Sequence, residues 1–375
     1  MVDIINLTMA VTSLMSNVSQ TEIQSLPYKY KDYISHDQTA QVYSNASLDF
    51  YEYDVGTEET VLRHAKIDND LHDQTTWAYS TYYEDLSTYS FSNHDYNRNE
   101  NTTNNLIFPN WDERMCDPLS SICHTKSMTS KDEWISGSCV VVSKNMILSV
   151  AHCFLNETGI PYSSPTIEAI QNDFKDSNTN AKGFNHTFEV SKILYPKAYV
   201  NGLNRNPKYD WCFCVLKKSH NVSHNIDVDI SYYTGYQSIV SGYTLAGCYN
   251  YACGYPGGDL KGTEKYMNLS YSPACEIREP DTFSKENDLY NLCNYATEGM
   301  SGGPLFFYYE DRNTFKDVQG VAGIIIEKNT IDSHAYAVKI NNYMINIIRN
   351  YNKYETNKKN TSFMFNSYGI IQLQK

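Results

Sequence analysis

Cysteine is absent from the first 115 residues of this 375-residue chain, and Gly56 is the only glycine there. No disulfide can staple such a stretch, and few tight glycine turns can form in it. Basic residues are also scarce: residues 1–105 hold 5 Lys/Arg against 16 Asp/Glu, and the whole chain carries a formal charge of −13. A protein that neutralises a phosphate backbone needs clustered positive charge, so a nucleic-acid binder is excluded as a class. No run of 18 consecutive apolar residues occurs, so no membrane span is read. The first 16 residues are mildly apolar, but Asp3 stands where a secretory signal has positive charge, which makes them a poor signal by themselves.

The chain divides by composition near residue 105. Residues 1–105 are acidic, rich in Tyr, Asp, Ser, Thr and Asn, and weakly periodic. They read as a partly disordered leader, and as a pro-segment able to cover a neighbouring site as an intramolecular inhibitor. Its Asn-rich end, Asn97–Asn105, reads as an exposed linker open to cleavage. All 10 cysteines follow, from Cys116 onward, and nine Asn-x-Ser/Thr sequons are spread along the chain. An even cysteine count with many sequons suits an oxidising, secretory or extracellular compartment.

Residues 106–350 carry short β-branched and aromatic runs between turn signals: Cys139–Val142, Met146–Val150, Phe188–Leu194, Trp211–Leu216, Tyr243–Ala246, Pro304–Tyr308, Val318–Ile326 and His334–Ile340. That spacing predicts an all-β sandwich or barrel. One helix is predicted, over Asn341–Tyr354, with Met344, Ile347 and Ile348 on a single packing face. The tail, residues 351–375, opens on the end of that helix and from Asn357 onward has no assignable pattern.

Three segments carry chemistry, in the order His, Asp, Ser. In SGSCVVVSKNMILSVAHCF two strands joined at Ser143–Asn145 deliver His152 beside Cys153. Thirteen residues separate Cys139 from Cys153, and paired strands would bring these sulfurs within bonding reach, so a disulfide pinning the backbone at His152 is expected. In NPKYDWCFCVLKK, Asp210 precedes an apolar run that reads as a buried strand; a carboxylate at that mouth needs a partner, and His152 supplies one. In NYATEGMSGGPLFFYY, Gly299 permits a turn that aims the N–H groups of residues 299 and 301 at one point, as a tetrahedral oxyanion requires.

Together AHC, YDW…VLK and GMSGGP resemble a chymotrypsin-like serine protease. The resemblance implies two six-stranded antiparallel Greek-key barrels with a C-terminal helix, preceded here by the polar acidic leader. It implies His152 as general base, Asp210 as its orienting partner, Ser301 as nucleophile, and the Gly299 and Ser301 amides as oxyanion hole. LIFPNWDER (Leu106–Arg114), GYPGG (Gly254–Gly258) and the closing helix are similar to the glutamyl-endopeptidase branch. Protein or peptide substrates follow from the resemblance, and nothing in it calls for a cofactor or metal.

Two departures matter. Met300 stands where trypsin-type members place an Asp that pairs with the freed N-terminus, so that ion-pair switch is unavailable. The branch usually has a His in a Gly-Ile-His context, and here Ile325 takes its position. The pocket walls implied by the resemblance are Tyr295, Ala296, Ile325 and Ala335, none charged, with His334 or a free amine on Leu106 as alternative partners for an acidic substrate side chain. Cleavage after apolar or aromatic residues and after Glu both stay open, and Tyr295 disfavours Lys/Arg.

His220 and His224 have zinc-compatible spacing but no helix or further ligand nearby, and read as a solvated loop. Cys116 with Cys123, and Cys248 with Cys253, read as disulfide members rather than metal ligands, while Cys212 and Cys214, two positions apart on one extended strand, are not expected to bond each other. The competing class is a catalytically silent protease-fold protein that binds peptides or partners. Processing at Asn105–Leu106 is predicted from the composition break and the match at Leu106. Amino-terminal sequencing of the purified mature form is expected to read from Leu106 or within a few residues of it; a start far away refutes the boundary.

Overall fold

In the computed structural model the described residues are 47–66, 106–156, 158–175, 182–200, 207–239, 249–258, 266–272, 289–292, 296–311, 316–328, 335–356, 364–366 and 369–371. They form two antiparallel sheets and one long helix, the all-β architecture expected.

The first sheet contains β1 (Ser47–Asp54), β2 (Glu59–Lys66), β3 (Ile122–Met128), β4 (Trp134–Ser143), β5 (Met146–Ser149), β6 (Ser163–Lys175), β7 (Lys182–Pro196) and β8 (Cys212–Leu216). Its order is β2-β1-β7-β6-β3-β4-β5-β8, and an additional β7–β8 pairing closes the last six strands into a barrel. β5 and β8 are buried at every position, which is why they read as unbroken apolar runs rather than as alternation. Val140, Val142, Ile147, Phe188 and Phe213 are all buried in one apolar cluster that covers both faces of these strands. A small hairpin, β9 (Ser219–Asn221) with β10 (Ile226–Val228), holds His220 against Asp227 at 3.0 Å on the surface.

The second sheet has the order β12-β11-β14-β15-β16-β13, with β11 (Tyr249–Gly254), β12 (Ser270–Tyr271), β13 (Leu289–Leu292), β14 (Pro304–Asp311), β15 (Lys316–Lys328) and β16 (Ala335–Lys339). The predicted run at Tyr243–Ala246 lies outside the described residues. Helix α1 (Asn342–Thr356) follows, capped by Asn341, whose Oδ1 accepts the Met344 N–H at 3.1 Å. It buries Met344, Ile345, Ile347 and Ile348. Among the described residues no helix is long and apolar enough to cross a membrane. In the tail, β17 (Met364–Asn366) pairs with β18 (Gly369–Ile371).

Two findings depart from the sequence reading. Part of the leader is built into the barrel: β1 and β2 form a hairpin, and β1 pairs with β7 over Phe50–Asp54. Asp54 Oδ1 accepts the Gly56 and Thr57 amides at 2.9 and 3.1 Å, an Asx turn that starts the reversal. The Cys139–Cys153 disulfide is not formed. Strand register sets Cys139 opposite Cys123, while the β4 residue against the Cys153 sulfur is Gly137. Cys116, Cys123, Cys139, Cys153, Cys212, Cys214 and Cys253 are all buried free thiols. Sequence separation gave the right strand pair, but the register decides which side chains meet.

Candidate active site

His152 and Asp210 are brought together by strand pairing. β5 lies beside β8 with Ser149 opposite Cys212. The chain leaves β5 through a single helical turn, Ala151–Cys153, whose flanking residues are buried and whose middle residue is His152. It enters β8 after the turn Pro207–Tyr209, with Trp211 buried as an anchor. Asp210 therefore faces His152. Its Oδ1 accepts the His152 main-chain N–H at 3.0 Å, and its Oδ2 lies 2.7 Å from Nδ1. The carboxylate thus fixes both the backbone and the ring, and leaves Nε2 as the free proton-accepting atom.

Ser301 sits in the loop 296–303 that leads into β14. Gly299 and Gly302 have φ of +89° and +85°, a region that disfavours a side chain. At Gly299 a Cβ would also stand 2.5 Å from the Tyr255 carbonyl oxygen and 2.8 Å from the Gly257 nitrogen. Hydrogen bonds hold this loop on every side. The Ser138 N–H donates to the Ser301 carbonyl at 2.8 Å, and the Gly302 N–H donates to the Ile325 carbonyl at 2.7 Å. Gly257 N–H donates to the Glu298 carbonyl at 2.6 Å. Because a trans peptide points its N–H opposite to its C=O, anchoring the Glu298 oxygen turns the Gly299 N–H away from Gly257. Neither the Gly299 nor the Ser301 amide donates to another described group. Two uncommitted N–H donors beside a hydroxyl are what an oxyanion would require.

The Ser301 hydroxyl donates to the Ile326 carbonyl at 3.1 Å, so its resting hydrogen bond is to backbone. The Ser301 carbonyl lies 3.8 Å from the sulfur of Cys153, the neighbour of His152, which places the nucleophile loop against the histidine turn. Burial by itself opposes a charge on His152. The Asp210 carboxylate, with a smaller contribution from Cys153, overrides that effect and holds the imidazole pKa well above the ordinary 6.5.

Ser138 was not anticipated from the sequence. Fully buried, it donates through Oγ to the Gly299 carbonyl at 2.8 Å and accepts the Tyr255 N–H at 2.9 Å. Ser149 Oγ in turn donates to the Ser138 carbonyl at 2.7 Å. The available signal was a pair of serines next to apolar runs, Ser138 before Cys139–Val142 and Ser149 after Met146–Leu148, where a buried hydroxyl needs a partner. The GYPGG motif also gains a role, since Tyr255 and Gly257 form the floor under Gly299.

Of the expected pocket residues, Ala296 and Ile325 are buried together with Met300, Ala337 and Leu106 in one apolar cluster. Ala335 lies in β16 opposite Lys328 and Leu292. Tyr295, His334 and the processing residue Asn105 lie outside the described residues. Leu106 is fixed by burial and by the bridge between Ile107 and Tyr271.

Gly299→Ala keeps the N–H but pushes the loop off the Tyr255 carbonyl and Gly257 nitrogen, and is expected to reduce turnover of a peptide or ester substrate by about 10²–10³-fold, the order of one misplaced oxyanion donor, with far-ultraviolet circular dichroism showing the strands retained. The pH profile has a definite sign. A raised imidazole pKa keeps His152 protonated at pH values where an ordinary histidine is already free, so the acid limb of kcat/KM is expected on the alkaline side of 6.5. Asp210→Asn moves that limb back toward acid. The pair's contribution to stability runs the other way: it is fully present below 6.5 and is lost as pH rises through the folded value.

No family model and no curated protein matches the chain. Several solved structures do. A Glu endopeptidase in complex with MPD has 18% identity and a TM-score of 0.45, covering 64% of this chain and 94% of its own. Thermostable serine protease AL20, from an extremophilic microorganism, has 14% identity and a TM-score of 0.46, covering 63% and 97%. An inactivated protease paralogue of the scabies mite has 10% identity and a TM-score of 0.42, covering 63% and 95%.

Proposed function

We propose that the protein is a serine endopeptidase acting on protein or peptide substrates. The observation that carries this reading is the double attachment of Asp210 to His152, through Nδ1 at 2.7 Å and the main-chain N–H at 3.0 Å, beside a loop with two uncommitted amides.

In this reading Ser301 Oγ turns from the Ile326 carbonyl toward His152 Nε2, which accepts its proton as the oxygen attacks the scissile carbonyl. The imidazolium so formed is stabilised by Asp210. The substrate oxygen becomes an oxyanion held by the Gly299 and Ser301 amides, and His152 returns the proton to the leaving amine. Water then repeats the sequence on the acyl-enzyme. Resting hydrogen bonds that tighten only with substrate are usual in such sites.

The cluster of Leu106, Ala296, Met300, Ile325 and Ala337 contains no charged side chain, which favours an apolar or aromatic residue before the cleaved bond over Glu. Secretion and processing at Asn105–Leu106 complete the proposal. The exposed sequon at Asn185 and the half-buried one at Asn221 are compatible with a secretory route, whereas Asn268 is too buried to take a glycan. Any covering of the site by the leader falls to residues 1–46 and 67–105, outside the described set.

A fluorophosphonate probe separates the enzyme from the silent binder. Labelling of the wild-type chain, lost in Ser301→Ala and reduced about 10⁴-fold in rate in Asp210→Asn, is expected. An unlabelled, folded protein after removal of the linker overturns the enzyme reading.

A further inference from the structure

The leader hairpin is not packed as a removable cover. Along β7 the pairing partners change: Lys182–Glu189 run beside β6, while β1 takes residues 192–196. Phe50 and Glu52 lie on the inward face of β1, Phe50 in the barrel core at 7% exposure and Glu52 at 9%. The Glu52 carboxylate accepts from Lys192 Nζ at 2.6 Å, from Arg63 Nε at 3.2 Å and from the Tyr351 hydroxyl at 3.2 Å. One carboxylate therefore ties together β2, β7 and helix α1. Burial alone would raise its pKa, but Lys192 and then Arg63 hold it below the usual carboxylate range. Val55 N–H donates to the Ser191 carbonyl at 2.9 Å, and the Tyr51 ring lies 5.6 Å from that of Tyr195.

We propose that the groove between β7 and α1 is a permanent docking site for the Ser47–Lys66 hairpin, so that cutting the chain at the Asn105–Leu106 boundary yields a two-chain protein rather than one freed of its leader. Without the hairpin, Lys192 and Tyr351 lose their shared carboxylate and the core loses Phe50. The Phe50-x-Glu52 spacing also selects the register. A slip by one residue would turn Tyr51 or Tyr53 inward and move the carboxylate away from Lys192. Breaking one partner of a buried ion pair costs more than replacing both, so single and paired variants separate the interaction from general damage. Among the described residues, the elements packed most extensively against the hairpin are β7, the Lys197–Val200 turn and α1, and none carries His152, Asp210 or Ser301. The hairpin therefore completes the fold instead of closing the site.

The proposal is independent of the protease reading, and its test is run in the Ser301→Ala chain. A recognition sequence for a site-specific protease is placed just before Leu106, the linker is cut, and the products are separated by gel filtration at micromolar concentration without denaturant. The leader fragment is expected to elute with 106–375. Glu52→Lys and Lys192→Glu are each expected to weaken retention at least tenfold, and the double exchange to restore most of it. Arg63→Ala, altering a half-exposed side chain, gives a milder, several-fold loss and serves if Glu52→Lys does not fold. Separate elution of the fragment from a 106–375 body that keeps the parent melting temperature overturns the proposal. Retention unchanged in all of the single variants overturns it as well.

Discussion

A carboxylate at the mouth of a buried strand organises this half of the molecule. β8 is apolar at every position, and a charge at its entrance would be costly without a strong partner. The neighbouring strand β5 supplies one, because its pairing with β8 brings the turn after Ser149 beside Asp210. The partner is a main-chain N–H together with an imidazole nitrogen. The same two hydrogen bonds settle the charge, fix the ring and select the tautomer. Stability and chemistry therefore draw on one contact, and the raised pKa of His152 is its thermodynamic signature.

The nucleophile loop is held by a different principle, hydrogen-bond saturation around glycine. Gly299 approaches the Tyr255 carbonyl and the Gly257 nitrogen too closely for any side chain, and its own carbonyl is taken by Ser138. With the Glu298 and Gly299 carbonyls both satisfied, the peptide planes of the loop are fixed, and the amides of 299 and 301 are among those that donate to no described group. Those two flank the nucleophile, where an oxyanion would need donors. Ser138 belongs to β4 of the first barrel and grips the loop of the second half, so the relative placement of His152 and Ser301 depends on a pair of buried hydroxyls, Ser138 and Ser149.

What the sequence made legible follows from how local each signal is. Apolar runs such as Met146–Ser149 and Cys212–Leu216 announce buried strands by themselves, and the glycines around Ser301 announce a turn with unusual backbone. Strands β3 and β6 were missed because ICHTKSM and SSPTIEAIQNDFK mix polar and apolar residues: β3 buries His124 and Thr125 alike once paired, and β6 buries Ile167 and Ala169 but leaves Phe174 exposed. The Cys139–Cys153 bridge failed for a related reason. Sequence separation limits reach, but pairing register, a property of two strands at once, put Cys123 and Gly137 in the decisive positions. The motifs around His152, Asp210 and Ser301 were legible because each sits at the end of a strand, where the chain must turn and the residue choices narrow. The Ser138 bridge was not, since its meaning lies in a contact to a loop 161 residues away.

The leader shows the same limit from the other side. Its acidity and tyrosine content describe a solvated chain on average, and the average conceals one eight-residue strand whose inward pair is Phe50 and Glu52. A buried glutamate is a poor marker of a core strand when read alone. It becomes one only when Lys192, Arg63 and Tyr351 converge on it from three elements. Composition assigns residues 1–105 to one class, whereas the ion pairs divide them. The hairpin shares its hydrogen bonds with the barrel that carries His152, and a strand so bound is joined to that barrel by chemistry rather than by chain continuity. A cut at residue 105 would sever the covalent link and leave those bonds untouched.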